Sequence, residues 1–135
     1  MGAVISLMDK DQIAEKLISA IKREFPDVGT RIDAEMKALE LDPEDKMYTQ
    51  MFECFSQATT DAIKEKDSET ALKHLMYMSN KLKYASEVER EYIDVYYTES
   101  LMWDIKDKKL KSWGWKLFPK NIKKLYEDMW GKQDL

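Results

Sequence analysis

Apolar residues recur at every third or fourth position along most of the chain, a spacing that is typical of amphipathic helices. The first helix is predicted to begin at Asp9, because Asp9 and Gln12 have the spacing of a capping box. Pro26 is expected to end it, since proline breaks the helical hydrogen-bond ladder. A second, shorter helix is predicted over about residues 27–39.

Three further helices have start signals of their own. Asp caps helices, and proline suits the first helical position, where no backbone N–H is needed. A serine followed three residues later by glutamate is again the spacing of a capping box. These patterns predict a third helix from Asp42-Pro43, a fourth capped by Asp67 or Ser68, and a fifth opened by Ser86 with Glu89.

The fifth helix, predicted over about residues 87–105, differs from the others because it is apolar on most sides. A helix with so little polar surface is normally surrounded by other elements. We therefore expect it at the centre of the fold. The predicted inward stripe is Val88, Tyr92, Val95, Tyr96, Met102 and Trp103, widened by Ile93, Tyr97, Leu101 and Ile105.

The remaining chain carries a connector and a last helix. Residues 106–116 are charged and then include Trp113-Gly114-Trp115. This connector is expected to have either a short turn of its own or a short extended piece, which the alternation with the following residues would allow. Pro119 is predicted to start the last helix, and Gly131 to end it. The prediction is an all-α fold in which residues 1–135 form a single compact domain of about six helices. Most neighbouring helices are antiparallel, and residues 1–8 are expected to be a flexible segment.

The charge of the chain is unevenly distributed. Among 135 residues, 36% are charged and the net charge is −4. Residues 106–135 contain nine lysines and four acidic residues, so the acidic excess lies entirely in residues 1–105. Nucleic-acid binders need a dominant basic surface, so we expect no nucleic-acid partner. An acidic body favours a protein partner with a basic surface.

Cysteine usage and hydropathy indicate a cytoplasmic protein. Cys54 is the only cysteine, so an internal disulfide is impossible. The apolar stretch at residues 2–8 is short, lacks a basic leader and is followed at once by acidic residues, so it does not resemble a signal peptide. No apolar run reaches the roughly 18 residues that span a bilayer. We expect no membrane partner.

The sequence offers little catalytic chemistry. His74 is the only histidine, and no cysteine, serine or carboxylate is marked as its partner. A structural role at the edge of the buried stripe is the simplest interpretation of His74. A lone histidine also disfavours zinc and two-histidine di-iron sites. We expect no cofactor, no metal and no enzymatic activity.

Two groups of residues are candidates for binding a partner. Glu87, Glu91 and Asp94 have the spacing of one helical face, and exposed carboxylates on a rigid helix suit a basic partner. Trp113 and Trp115 lie in the predicted connector, where they cannot both face the core if the chain is extended. One of the two is therefore a candidate exposed anchor, since tryptophan is enriched at binding hot spots.

The stretch from Phe55 to Ile105 resembles a known type of protein. An apolar helix ends in Asp67-Ser68-Glu69, a second packs behind it, and Glu87-Val88-Glu89 opens a third that carries Tyr97-Thr98-Glu99-Ser100-Leu101. The stretch resembles small all-helical bacterial proteins of unassigned function, several kinds of which are immunity partners in toxin–immunity systems. The resemblance implies a cytoplasmic protein that binds and blocks a toxin domain.

The sequence therefore favours a non-enzymatic binding protein, an immunity-type inhibitor whose acidic helical surface covers a basic toxin domain. A second hypothesis is a regulatory or adaptor module that binds another protein through residues 113–115. A third is a helical bundle that binds a small molecule in a pocket walled by Tyr92, Tyr96 and Trp103.

Overall fold

The computed structural model describes residues 9–39 and 46–135, and these residues are helical without any β-strand. The predicted all-α fold is confirmed. A π-helical segment, in which each backbone bond spans five residues, continues directly from α5 and covers Tyr92–Thr98. The α-helices are α1 (Lys10–Glu24), α2 (Pro26–Ala38), α3 (Tyr48–Lys64), α4 (Ser68–Lys83), α5 (Glu87–Glu91), α6 (Lys108–Trp115) and α7 (Lys120–Trp130).

The predicted helix starts at Asp9, Asp67 and Ser86 are confirmed by side-chain caps. The carboxylate of Asp9 accepts from the Gln12 backbone N–H at 2.8 Å, and the Gln12 side chain accepts from the Asp9 N–H at 3.1 Å. Ser86 and Glu89 form the same reciprocal pair. These bonds satisfy N–H groups that have no partner inside the helix. The start predicted at Asp42-Pro43 and the flexible segment predicted at residues 1–8 lie outside the described residues.

Helix α3 shares the centre of the fold with the predicted fifth helix. It packs against α1, α2, α4, α6 and the π segment. Its apolar face contributes Phe52, Phe55 and Ile63, which have no exposed surface. The buried apolar residues of all helices form one continuous core around it.

The side of α3 that faces the π segment carries three buried hydroxyl groups. Ser56 accepts from the Ser100 hydroxyl at 2.8 Å, and Thr60 accepts from the Met102 backbone N–H at 3.0 Å. The third, Thr59, lies 2.9 Å from the phenolic oxygen of Tyr97. We call Ser56, Thr59 and Thr60 the hydroxyl row. It supplies partners to a stretch of chain that lacks regular α-helical bonds.

The fifth helix was expected to be regular, and this is where the predicted register is wrong. The π segment runs to Thr98 and is followed by turns up to Asp104, with Met102 at a φ of +60°. The wider π turns rotate the later side chains away from the directions that α-helical spacing predicts. Val95 and Trp103 are exposed and Val88 and Tyr96 are half-buried, although all four belong to the predicted inward stripe. Tyr92 and Met102 of that stripe are buried as predicted, together with Ile93, Tyr97, Leu101 and Ile105.

Residues 108–115 form helix α6, so the predicted connector with an extended piece is wrong. Gly114 is buried where α6 crosses the end of α3. A Cβ atom there would lie 2.7 Å from Ile63 Cγ2 and 3.0 Å from Met102 Sδ. This glycine is therefore present for close packing, and it does not break the helix.

Gly114→Ala is expected to lower the free energy of unfolding by about 1 kcal/mol, which lies within the range that the two opposing effects allow. Overpacking a core costs about 1–3 kcal/mol, while the better helix propensity of alanine returns at most about 1 kcal/mol. Urea denaturation measures the difference. Gly29→Ala is the matched control, because its new Cβ would meet Lys22 Cβ at 3.2 Å and the expected loss is smaller. A Gly114→Ala protein no less stable than the control would contradict this account of α6.

Candidate functional site

The predicted acidic face is only partly formed. Glu87 and Glu91 are exposed on α5, and Glu91 lies 3.3 Å from the ammonium group of Lys10 on α1. Asp94 is half-buried, because it belongs to the π segment and leaves the face that α-helical spacing assigns to it. Burial raises the pKa of Asp94, and the nearby negative charges of Asp128 and Glu99 raise it further against the effect of Arg90. The prediction that these three carboxylates share one exposed face therefore holds for Glu87 and Glu91 alone.

Trp113 and Trp115 are both half-buried in α6, so neither is the freely exposed anchor that the predicted connector would allow. The Trp115 ring lies 5.1 Å from the ring of Phe118 and 5.4 Å from that of Tyr126, centroid to centroid. The ammonium group of Lys123 lies 5.3 Å from the centroid of the Trp115 ring. These contacts identify Trp115 as the residue that joins α6 to α7.

The exposed tryptophans are Trp103 and Trp130, with 68% and 57% of their surface accessible. Each indole is held by its N–H group. Trp103 donates to the Gln57 side-chain oxygen at 2.6 Å, and Trp130 donates to the backbone carbonyl of Glu99 at 3.0 Å. Both rings thus present a large apolar face in a fixed position near the end of the π segment. We call the two exposed indoles, together with Glu99, whose carbonyl holds Trp130, the Trp103–Trp130 surface.

Sequence periodicity assigned both tryptophans to the core, Trp103 in the predicted fifth helix and Trp130 beside Leu125, Tyr126 and Met129 in the predicted last helix. Trp103 follows the π segment, so its direction depends on a change of helical pitch that has no signal in the sequence. Trp130 is the last residue of α7, so no further turn of its own helix covers the ring. Its position directly before Gly131 is the one available signal that it lies at an end of the packed region.

Two buried carboxylate oxygens near this surface lack hydrogen-bond donors among the described residues. They are Oδ1 of Asp94 and Oδ1 of Asp104. The other oxygen of Asp104 accepts from Lys64 at 2.9 Å, which lowers the pKa of Asp104 against the opposing effect of burial. A buried acceptor without a donor costs about 1–3 kcal/mol. Asp104 is paired with Lys64, while Asp94 has no ion-pair partner among the described residues.

His74 has the structural position that the sequence predicts, since only 4% of its surface is accessible. Its Nδ1 lies 3.0 Å from the Thr59 hydroxyl, and its ring packs edge-on against Phe25 and Phe55. Burial lowers the pKa of His74 from 6.5 to about 4, although the Asp67 carboxylate acts in the opposite direction. The imidazole is therefore neutral at pH 7.

His74 also lines an open groove of about 680 Å³ between the α1–α2 junction, α3 and α4. The groove has an apolar floor that includes Phe25, Val28 and Ala58, and several carboxylates at its edge. In residues 9–39 and 46–135 no three His, Cys, Asp or Glu side chains are placed to hold a metal ion. No helix in the described part of the chain combines the length and the apolar character needed to cross a bilayer.

Comparison with known proteins places this domain in a family. The sequence model of DUF7674, a domain of unknown function, matches residues 18–131. The chain belongs to the DUF7674 family. No curated protein and no solved structure matches it. The matched range contains the groove, the π segment and the Trp103–Trp130 surface, so all three are parts of the DUF7674 domain.

The stability of this DUF7674 domain is expected to fall as the pH is lowered from 6.5 to 4. The unfolded state binds a proton at His74 in this range and the folded state does not, so stability rises with pH across it. A difference of 6.5 against about 4 corresponds to about 3 kcal/mol at most. Urea denaturation at pH 7.0, 6.0 and 5.0 measures the slope.

His74→Gln is the control, because glutamine does not titrate and can still hydrogen-bond to Thr59. Its stability is expected to change less over the same pH range. The carboxylates contribute equally in both proteins, so the difference between their pH dependences is the contribution of His74. Equal slopes in the two proteins would show that His74 is not held neutral by burial.

Proposed function

We propose that this DUF7674 domain is a non-enzymatic protein-binding domain, an immunity-type inhibitor that covers a basic bacterial toxin domain. The observation that carries the proposal is the Trp103–Trp130 surface. Tryptophan is among the residues most enriched at binding hot spots, and two fixed, exposed indoles on one small domain are unusual in a monomer without a partner. The acidic charge beside them favours a basic partner.

The hydrogen bonds of the two indoles support an anchoring role. Side chains that are free in solution lose rotamer entropy when they enter an interface, at about 0.5–1.5 kcal/mol each. The bonds to Gln57 and to the Glu99 carbonyl restrict the rings beforehand. Less entropy is then lost on binding, and more of the energy of burying each ring becomes affinity.

The carboxylates support a basic partner. Asp94 and Asp104 each have an oxygen without a donor among the described residues, and Glu99 belongs to the same surface. These two oxygens are buried, so the carboxylates would act on an arginine or lysine of a partner through their charge and not through direct hydrogen bonds. Glu87 and Glu91 extend the acidic surface along α5, where they would act on the rate of association.

The alternative interfaces have less support. An adaptor surface at residues 113–115 would use Trp115, whose ring is already packed on Phe118 and Tyr126. A small-molecule pocket walled by Tyr92 would require space beside a ring that stacks on Phe52 at 5.2 Å between centroids. The aromatic surface near the π segment remains the best-supported interface.

Substitution of the anchors is expected to increase the rate of dissociation. The partner to test is a basic toxin domain encoded by the neighbouring gene, with binding followed by surface plasmon resonance. Trp103→Ala and Trp130→Ala are each expected to raise the dissociation rate at least about tenfold, which corresponds to about 1.4 kcal/mol. Tyr84→Ala removes an even more exposed ring at the end of α4 and is the control. If the toxin domain does not bind the wild-type protein, the immunity proposal is wrong.

Reversal of charge on α5 is expected to slow association. The double variant Glu87→Lys/Glu91→Lys weakens long-range attraction to a basic partner, and the effect should shrink as salt is raised from about 0.05 to 0.5 M. Asp33→Lys/Glu35→Lys makes the same change in net charge on α2 and is the matched control. Stability should change little in both variants, since exposed charges contribute only tenths of a kcal/mol. Equal association rates in the two variants would move the interface away from α5.

A further inference from the structure

The groove beside His74 has an acidic edge whose charge is not neutralised within the described residues. Glu24, Asp27, Glu65 and Asp67 line it, and none of them forms an ion pair in residues 9–39 and 46–135. Asp67 caps α4 through the Thr70 N–H, which lowers the pKa of its carboxyl and keeps it charged. The groove therefore has a strongly negative rim at neutral pH.

Two cations also line the groove, and both are already engaged. The Arg31 guanidinium lies 2.8 Å from a carboxylate oxygen of Asp61, and the Lys73 ammonium lies 3.2 Å from a carboxylate oxygen of Glu69. Asp61 is itself a lining residue, so this pair cancels within the groove. The negative charge of the rim consequently persists.

Proton counting in the hydroxyl row fixes the tautomer of His74. The Thr59 hydroxyl contacts the Phe55 carbonyl at 3.2 Å, the Tyr97 hydroxyl at 2.9 Å and His74 Nδ1 at 3.0 Å. A carbonyl can only accept, so the contact with Phe55 is a hydrogen bond only if Thr59 donates its single hydrogen there. All three contacts are then satisfied only if Thr59 accepts from Tyr97 and from a protonated Nδ1 of His74.

This tautomer leaves Nε2 of His74 as an unprotonated acceptor. Nδ1 is turned inward to Thr59, so the opposite edge of the ring, which carries Nε2, is the edge that borders the groove. Nε2 has no hydrogen-bond partner among the described residues, although the ring is almost completely buried. Nε2 is not among the fully buried unpaired polar atoms of the described residues, so it is open to the groove, where a ligand can donate to it.

We propose that the groove beside His74 binds an alkylguanidinium or alkylammonium group, with one N–H donated to Nε2 of His74. The four rim carboxylates would neutralise its charge, and the apolar floor at Phe25, Val28 and Ala58 would cover its alkyl stem. Anions are disfavoured by the charge of the rim. The groove is a different surface from the Trp103–Trp130 surface, so this proposal does not depend on the proposed function.

Such a group has two sources: a free amine, or an arginine or lysine side chain of another protein. Agmatine is the probe for the first source. A blocked pentapeptide with one arginine between glycines is the probe for the second, and the same peptide with citrulline, which replaces the guanidinium by an uncharged urea, is its control. Long-range ¹H–¹⁵N NMR is the readout, because His74 is the only histidine and its two ring nitrogens are assigned without ambiguity.

At pH 7 the free protein is expected to show a protonated Nδ1 and an unprotonated Nε2. Agmatine, the arginine peptide or both should shift the Nε2 resonance in a saturable manner, and the citrulline peptide should not. Saturation by agmatine alone identifies a free amine as the source, and saturation by the peptide identifies a side chain. A protonated Nε2 in the free protein, or no saturable shift with either cation, would overturn the proposal.

Charge removal at the rim tests the site independently. Glu65→Gln/Asp67→Asn is expected to lower the affinity of the probe that saturates by at least about tenfold, the equivalent of about 1.4 kcal/mol. Asparagine at position 67 can still cap α4. Asp11→Asn is the control, since Asp11 lies thirteen residues before Glu24 on α1 and about 20 Å away. Both proteins are checked for folding by circular dichroism. Equal affinities in the two proteins would place binding outside the groove.

Discussion

The hydroxyl row of α3 is the constraint on which the rest of the structure depends. A chain that leaves α-helical geometry between residues 92 and 104 exposes backbone groups that must find other partners if they are buried. Thr60 accepts from the Met102 N–H, Ser56 bonds to Ser100, and Thr59 bonds to Tyr97. These bonds allow the irregular segment to lie in the core. They also fix the orientation of His74, and through it the acceptor that borders the groove.

The parts of the fold that could be predicted are those determined by neighbouring residues. Asp9 with Gln12 and Ser86 with Glu89 form capping boxes, because each box involves only four consecutive residues. The π segment depends on hydroxyl groups that are about forty residues distant in sequence, so periodicity within residues 87–105 could not reveal it. The connector predicted over residues 106–116 was wrong for a similar reason: Gly114 packs closely on Ile63, which no local pattern shows.

The exposure of the candidate residues could be predicted only in part. Glu87 and Glu91 are exposed as expected, but the exposed tryptophans are Trp103 and Trp130, while Trp115 joins two helices. A large aromatic side chain is buried only where a neighbouring helix extends far enough to cover it, and local sequence does not show this. The role of His74 beyond the core was equally hidden, because it arises from a count of hydrogens among three residues that the fold brings together.

The π segment has a consequence for how surfaces of this domain can diversify. One residue of α-helix turns the chain by about 100°. Loss or gain of a single residue between Tyr92 and Thr98 would therefore rotate the Trp103 side chain to another side of the helix, while the capped start of the helix stayed in place. Related chains need not change their cores to present a new aromatic contact. A length change of one position, followed by adjustment of the hydroxyl groups opposite it, offers a short evolutionary route from one binding specificity to another.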